Sequence, residues 1–145
     1  MDNTEKNRLF RNFLKDHTFA TISTVSPQQK PESATVEYFL LDEGLDVVFR
    51  TQTNFRKYKN LKQNPAVALQ IRAQETSTLQ YEGMAQEIAL DSLSVNEKIA
   101  IASRSISGRV IYEEDKGVYF RIKPTWIRLT DVSKQPWEEV TLVVK

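Results

Sequence analysis

Two adjacent cations, Arg56 and Lys57, follow Thr51 by five and six residues, where a strand is predicted to turn into a helix. Cations are unusual in the first turn of a helix, because the helix dipole attracts negative charge there. A bound phosphate would pair with both cations, with the free backbone N–H groups and with the Thr51 hydroxyl. The alternative is that Arg56 and Lys57 are ordinary helix-forming residues on a solvated surface. Spacing alone leaves both interpretations open.

The strand and the helix around these residues are predicted from the pattern of apolar and polar side chains. Residues 47–51 are typical of a strand, in which the odd-numbered residues share one face. Thr53 or Asn54 is expected to cap the helix, since either side chain offers an oxygen to free backbone N–H groups. The helix is expected to end at Asn64, because a residue that precedes proline avoids the helical region. The apolar stripe that should face the core comprises Phe55, Tyr58 and Leu61.

The rest of the chain has the pattern of short strands with two further helices. Helices are predicted over residues 4–16 and 94–103, and strands over residues 19–25, 33–41, 66–71, 77–88, 118–124 and 125–130. Ser94 and Glu97 have the spacing of a capping box, and Val95 and Ile99 lie on one side of the helix that it opens. The polar residues 104–109 are predicted to form a loop. We expect one domain over residues 1–145, since this length suits a single core.

Composition and charge exclude several classes of protein. The net charge of +1 is far from the basic balance of nucleic-acid-binding domains. No apolar run approaches the roughly 20 residues that span a membrane, and residues 1–6 lack the layout of a signal peptide. The chain has no cysteine and one histidine, His17, which excludes disulfides, thiolate chemistry and a multi-histidine metal centre. We therefore expect a cytoplasmic protein that has neither nucleic acid nor membrane as a partner.

The stretch that contains the two cations resembles a known family. It begins with Phe49-Arg50-Thr51, continues through Arg56-Lys57 and Asn60-Leu61, and ends at Asn64-Pro65 ahead of an apolar strand. This run is similar to the flavin-binding split-barrel family, which includes pyridoxamine 5'-phosphate oxidase and proteins like general stress protein 26. The resemblance extends from about residue 16 to about residue 131. It implies a mostly β fold, an FMN-binding antiparallel split barrel with flanking helices, that forms a homodimer with FMN at the interface.

The resemblance also implies which residues would contact the FMN. The phosphate would be held by Thr51, Arg56 and Lys57, with Arg50 contributing through its backbone. The ring and ribityl chain would be contacted from a strand that runs beneath the flavin, by Thr35, Val36 and Glu37. Further contacts, some of them from the partner subunit, would come from Thr78, Trp126 and Arg128.

The chain departs from the family oxidases at several positions. Those enzymes have an arginine where Thr35 falls, a lysine where Leu40 falls and a flavin-contacting glutamine where Thr78 falls. Their arginine-rich C-terminal signature, which grips the pyridoxal substrate, is replaced here by residues 131–139. We therefore expect no pyridoxamine 5'-phosphate oxidase activity.

The remaining expectation is a flavin-dependent oxidoreductase that acts on a small molecule. The sequence contains no evident nucleophile–base pair or hydrolytic acid pair, and we name no catalytic residue. A flavin fits this lack, because the cofactor itself carries the electron chemistry. The alternatives are a reductase of the same fold that uses the deazaflavin F420, and a non-catalytic flavin-binding stress or sensor module. Similar barrels also bind haem, for which the lone His17 gives little support.

Overall fold

The computed structural model describes residues 1–104 and 117–145 of the chain. The helices are α1 (Asn3–Lys15), α2 (Arg56–Gln63) and α3 (Val95–Arg104). The strands are β1 (Phe19–Val25), β2 (Pro31–Leu40), β3 (Val47–Gln52), β4 (Ala66–Ala73), β5 (Ser77–Ile88), β6 (Gly117–Asp131) and β7 (Glu138–Val143). A short 3-10 turn, Leu90–Ser92, precedes α3. Within the described ranges, no helix has the length and apolar character needed to cross a membrane.

The strands form one antiparallel sheet in the order β3-β2-β1-β4-β5-β6-β7. β3 also pairs with β6, from Val47 opposite Ile122 to Gln52 opposite Gly117. This pairing closes the first six strands into a barrel and leaves no open edge between them. β7 extends the sheet beyond β6. The predicted mostly β fold, an antiparallel barrel with flanking helices, is confirmed.

The interior of the barrel is filled by apolar side chains from alternate strand positions. Burial alternates along β1, β4 and β5, as expected for strands that pack one face on a core. The Tyr38 hydroxyl donates a hydrogen bond to the Leu14 carbonyl of α1 at 2.7 Å. The Tyr81 hydroxyl donates to the Leu45 carbonyl at 2.7 Å, and burial raises the pKa of Tyr81 well above its usual value. Both buried phenols are therefore satisfied within the core.

A second, smaller apolar cluster packs α3 against the outside of the barrel. Its members are Phe39, Leu41, Val48, Leu93, Ile101 and Tyr119. The predicted capping box is present: the Ser94 hydroxyl accepts from the Glu97 N–H at 3.0 Å, and the Glu97 carboxylate accepts from the Ser94 N–H at 2.9 Å. Val95 and Ile99 share the side of α3 that is exposed to solvent.

The C-terminal strands differ from the prediction. Residues 118–124 and 125–130 belong to one strand, β6, which continues through Pro124 past a bulge at Thr125. Gly83 of β5 lies at this shift in register, where a Cβ atom would meet the backbone of Lys123. β7 was not predicted. The other predicted elements are confirmed, with ends shifted by at most two residues. The predicted loop at residues 104–109 lies, from residue 105 onward, outside the described residues.

Candidate functional site

A cleft of about 320 Å³ opens where the start of α2 approaches the end of β1 and the start of β2. Its walls combine strand side chains with polar residues of the turn before α2 and of the first helical turn. The lining residues are Ile22, Thr24, Glu32, Ser33, Ala34, Asn54, Phe55, Arg56 and Lys57. Both cations of the predicted phosphate site therefore face one cavity.

Helix α2 begins at Arg56 without a side-chain cap. The prediction that Thr53 or Asn54 caps the helix is wrong: the N-cap residue is Phe55, in an extended conformation. The turn is closed by the backbone instead, since the Phe55 N–H donates to the Gln52 carbonyl at 3.0 Å. The first turn contains no acidic residue, and no described side chain makes a cap hydrogen bond there. The helix dipole and the uncapped N–H groups thus favour an anion at this end.

The Phe55 side chain forms a wall of the cleft and is 45% exposed. Its predicted place in the buried stripe of α2 is wrong, because an N-cap residue precedes the helical repeat. The Lys57 ammonium lies 4.8 Å from the centroid of the Phe55 ring, within the range of a cation–π contact. Tyr58 and Leu61 do pack inward as predicted, with Tyr58 partly buried and Leu61 buried.

The charge on Lys57 is held in an unfavourable setting. Burial, and then the neighbouring charge of Arg56, lower the pKa of Lys57 below its ordinary value of 10.5. Both causes disfavour the protonated ammonium. A bound anion would offset both, because opposite charge within about 4–6 Å favours the protonated form.

Thr51 lies near the end of β3 with a buried hydroxyl. The residue is 2% exposed, and its Oγ1 atom makes no hydrogen bond among the described residues. Thr51 shares the inward face of β3 with Phe49 and is not itself a wall residue of the cleft. A buried hydroxyl left unsatisfied destabilises a fold by about 1–3 kcal/mol. Such a group in a native structure calls for a functional explanation, and a ligand that reaches the end of β3 would supply one.

Glu32 is a charged wall residue that the sequence analysis missed. Its carboxylate accepts a hydrogen bond from Arg56 Nη1 at 3.1 Å and another from Asn60 Nδ2 at 2.8 Å. Asn60 is buried and also donates to Thr24 Oγ1 at 3.0 Å. The available signal was the alternation along β2, which puts Glu32 on the same face as Ala34 and Val36. Among the described residues, no three His, Cys, Asp or Glu side chains cluster in a way that could hold a metal ion.

The predicted ring-contact residues of β2 are divided between its two faces. Val36 is buried and belongs to the barrel core, so its side chain is closed to a ligand. Thr35 is exposed and Glu37 is half-buried, and both lie on the outer face. Ser33, which shares that face with Thr35, lines the cleft. The outer face of β2 is therefore continuous with the cleft.

Thr78, Trp126 and Arg128 lie farther around the barrel. Thr78 is on β5, three strands from β2, which corresponds to about 14 Å across the sheet. The Arg128 guanidinium lies 5.1 Å from the Trp126 ring, and its Nε donates to Thr141 Oγ1 at 2.9 Å. None of these three residues lines the cleft of its own chain. Their predicted contacts across a dimer stay a prediction.

Arg50 is predicted to act through its backbone, and its side chain lies on the face of β3 opposite Thr51. The Arg50 guanidinium packs directly over Gly117, where a Cβ atom would overlap it. A glycine at residue 117 is therefore required for this position of the Arg50 side chain.

The sequence profile of the pyridoxamine 5'-phosphate oxidase family matches residues 7–131 of the chain. The chain belongs to this family. The match covers the barrel strands β1 to β6 and both sides of the cleft, and it confirms the family predicted from the residues around Thr51 and Arg56. No curated protein sequence matches the chain.

Solved structures with the same fold differ in the ligands that their names record. A pyridoxamine 5'-phosphate oxidase-related, FMN binding protein from Nostoc punctiforme has a TM-score of 0.69 at 13% identity, over 98% of this chain and 94% of that one. A heme binding protein from Mycobacterium smegmatis has a TM-score of 0.73 at 15% identity, over 91% and 56%. An F420 reductase has a TM-score of 0.60 at 23% identity, over 76% and 88%. At these identities the likeness shows the fold alone.

Proposed function

We propose that this protein binds FMN, with the phosphate in the cleft at the start of α2, and that it is a flavin-dependent oxidoreductase acting on a small molecule. The observation that carries the proposal is the buried Thr51 hydroxyl, which lacks a hydrogen-bond partner among the described residues. It lies just before a helix that opens with Arg56 and Lys57 and has no side-chain cap. Hydroxyl, cations and free N–H groups together match the chemistry of a phosphate monoester.

Each residue of the cleft has a distinct part in holding the phosphate. Arg56 has five N–H donors, of which Nη1 contacts Glu32, so that other donors remain for phosphate oxygens. Lys57 adds a second cation, whose charged form a phosphate would favour. The ring and ribityl chain would extend from Ser33 over the outer face of β2, past Thr35 and Glu37. When bound, the flavin would supply the hydride and electron transfer, and the chain would hold and orient it.

We also propose that two chains pair through the outer face of β2, β1, β4 and β5. Seven neighbouring outward positions there carry no charge: Thr21, Ser23, Ser33, Thr35, Ala68, Gln70 and Gln80. A solvated sheet face normally carries charged side chains, whereas the centre of an interface is depleted of them. A partner on this face would cover the side of the flavin that the cleft leaves open. Trp126 and Arg128 of β6 lie at the margin of this face.

Two other ligands remain as alternatives. The deazaflavin F420 also carries a phosphate, and a reductase that uses it shares the fold. Haem is less favoured, because the Nδ1 atom of His17 lies 2.7 Å from the Phe13 carbonyl and its ring stacks on Phe13. Residues 131–139, which stand in place of the substrate-binding signature of the oxidases, contain one lysine and no arginine. This composition supports the expectation that pyridoxamine 5'-phosphate is not the substrate.

The proposal is tested first by the small molecule that co-purifies with the protein. The absorption spectrum and the mass of the released compound distinguish FMN, F420 and haem. The apo protein is then titrated with FMN, and the loaded protein is mixed with NADH or NADPH under anaerobic conditions. Bound FMN that is reduced and then reoxidised by a small molecule supports an oxidoreductase. FMN that binds but is never reduced supports the non-catalytic module, and failure to bind FMN overturns the proposal.

A further inference from the structure

The cleft contains an anion of its own. The Glu32 carboxylate lies within the proposed phosphate site, and its two oxygens contact different partners. Oε1 accepts from Asn60, which is 2% exposed and is held in turn by its contact with Thr24. Oε2 accepts from Arg56, whose side chain is 74% exposed, whereas that of Glu32 is 20% exposed. The carboxylate is thus anchored on the buried side, and the guanidinium is the mobile member of the pair.

We propose that Glu32 competes with the phosphate of the ligand for Arg56 and so lowers the affinity of the cleft for doubly charged phosphate monoesters. This inference rests on the proposed function. In the free protein Arg56 contacts Glu32, and on binding it would turn its donors toward the phosphate. Release of the ligand would be helped by the return of Arg56 to Glu32. Glu32 is then a residue that determines how much negative charge the site accepts.

The opposite role would be that Glu32 fixes Arg56 in place and strengthens binding. Two observations favour competition. An exposed ion pair contributes little on its own, so the gain from fixing Arg56 is small. A carboxylate in the same cavity as a phosphate dianion repels it at short range, where screening by salt is weak. Repulsion therefore outweighs the fixing of the guanidinium.

The test replaces the charge and keeps the shape. Glu32→Gln retains an oxygen that can accept from Asn60, while it removes the negative charge. We expect Glu32→Gln to bind FMN about tenfold more tightly than the wild type, and to bind riboflavin, which lacks the phosphate, with unchanged affinity. Glu32→Ala, which places no amide beside Arg56, should change the affinity for FMN in the same direction. Thermal unfolding of each apo variant shows that it is folded.

Glu87→Gln is the matched control. Glu87 pairs with Lys62 at 3.2 Å near the other end of α2, outside the cleft, so this variant makes the same change in net charge. Its affinity for FMN should stay within about twofold of the wild type. Unchanged or weaker binding of FMN by folded Glu32→Gln overturns the inference, as does an equal gain for riboflavin. If neither the wild type nor Glu32→Gln binds FMN, the proposed function itself is wrong, and the inference is lost with it.

Discussion

The ammonium group of Lys57 lies 4.8 Å from the centroid of the Phe55 ring, so the N-cap residue of α2 partly covers a cation of its own first turn. This contact and the proximity of Arg56 explain why the pKa of Lys57 is lowered, first by burial and then by the neighbouring charge. A lysine in this position loses its proton at a lower pH than a solvated lysine does. The electrostatics of the cleft therefore change with pH in a direction that the structure fixes.

We predict that the affinity for FMN falls in alkaline solution, beginning below the ordinary lysine pKa of 10.5. Binding of the phosphate favours protonated Lys57, so affinity is lost as pH rises through the lowered pKa. Lys57→Arg stays charged throughout this range and should not show the loss. In the apo protein the sign is reversed: protonated Lys57 is unfavourable, so folding stability should rise as pH passes from the lowered pKa toward 10.5.

The measurement for Lys57 is the dissociation constant of FMN between neutral pH and the onset of alkaline unfolding. Riboflavin serves as the reference, because it shares the ring system and therefore corrects for titration of the ring. Parallel pH profiles of FMN and riboflavin in the wild type would contradict a contact between Lys57 and the phosphate.

We predict that Thr51→Val has opposite effects on stability and on binding. Valine keeps the branched shape and removes the hydroxyl that has no partner among the described residues. Apo stability should stay equal or rise by about 1 kcal/mol, because an unsatisfied buried group is removed. The affinity for FMN should fall about tenfold, since a hydrogen bond to a charged group contributes roughly 1.5–3 kcal/mol. Thr51→Ser keeps the hydroxyl and should retain most of the affinity, and equal binding of FMN by Thr51→Val would exclude this contact.

We predict that Gly83→Ala destabilises the barrel. A Cβ atom at residue 83 would meet the Lys123 carbonyl and would lie 2.9 Å from Ile122 Cγ2, at the bulge that β6 needs to pass through Pro124. The expected loss is about 2–3 kcal/mol, measured by chemical denaturation. Gly44→Ala is the control, because it meets only the strain of a φ of +71° and no neighbouring atom within 4 Å. Its loss should be smaller, about 1 kcal/mol, and a larger loss than that of Gly83→Ala would contradict the packing at the bulge.

We predict that charges on the outer face of the sheet prevent dimerisation. Thr21 and Gln80 lie on either side of Gln70 in adjacent strands, within the uncharged face. Thr21→Lys/Gln80→Lys should convert a dimer to a folded monomer, since unpaired charges at an interface centre are unfavourable. Light scattering at micromolar concentration measures the mass.

The control for dimerisation is Gln28→Lys/Gln63→Lys, which adds the same charge at exposed positions in a turn and on α2. It should leave the mass of the dimer unchanged. A wild type that is monomeric with FMN bound would show that the proposed interface is wrong.

Most of the barrel could be predicted from local patterns. β1 and β5 alternate apolar and polar residues over their full lengths, and their predicted ends are those observed. β6 was divided into two strands because Pro124 cannot donate to a ladder, and only the pairing with Gly83 shows how the strand continues past it. β7 was missed because its first residues, Glu138 and Glu139, are polar and exposed. Its strand character depends on pairing with β6.

The site was predicted only in part, because some of its features depend on contacts that are distant in sequence. Arg56 and Lys57 were found from their place in the first helical turn, and the structure puts both in one cleft. Glu32 could not be assigned to the cleft before the barrel was known, since 24 residues separate it from Arg56. The start of α2 was placed too early because a backbone hydrogen bond, rather than Thr53 or Asn54, closes the preceding turn.

The central claim, that Arg56 and Lys57 hold the phosphate of FMN, is tested most directly by titrating apo Arg56→Ala/Lys57→Ala with FMN and with riboflavin. The double variant should bind FMN on the order of 10²–10⁴-fold more weakly than the wild type, because two charge-assisted hydrogen bonds are lost. Its affinity for riboflavin should be unchanged, and its apo stability unchanged or slightly higher. Lys59→Ala/Lys62→Ala removes the same charge from α2 outside the cleft and should bind FMN nearly as the wild type does. Equal affinity for FMN in the wild type and in Arg56→Ala/Lys57→Ala would contradict the account.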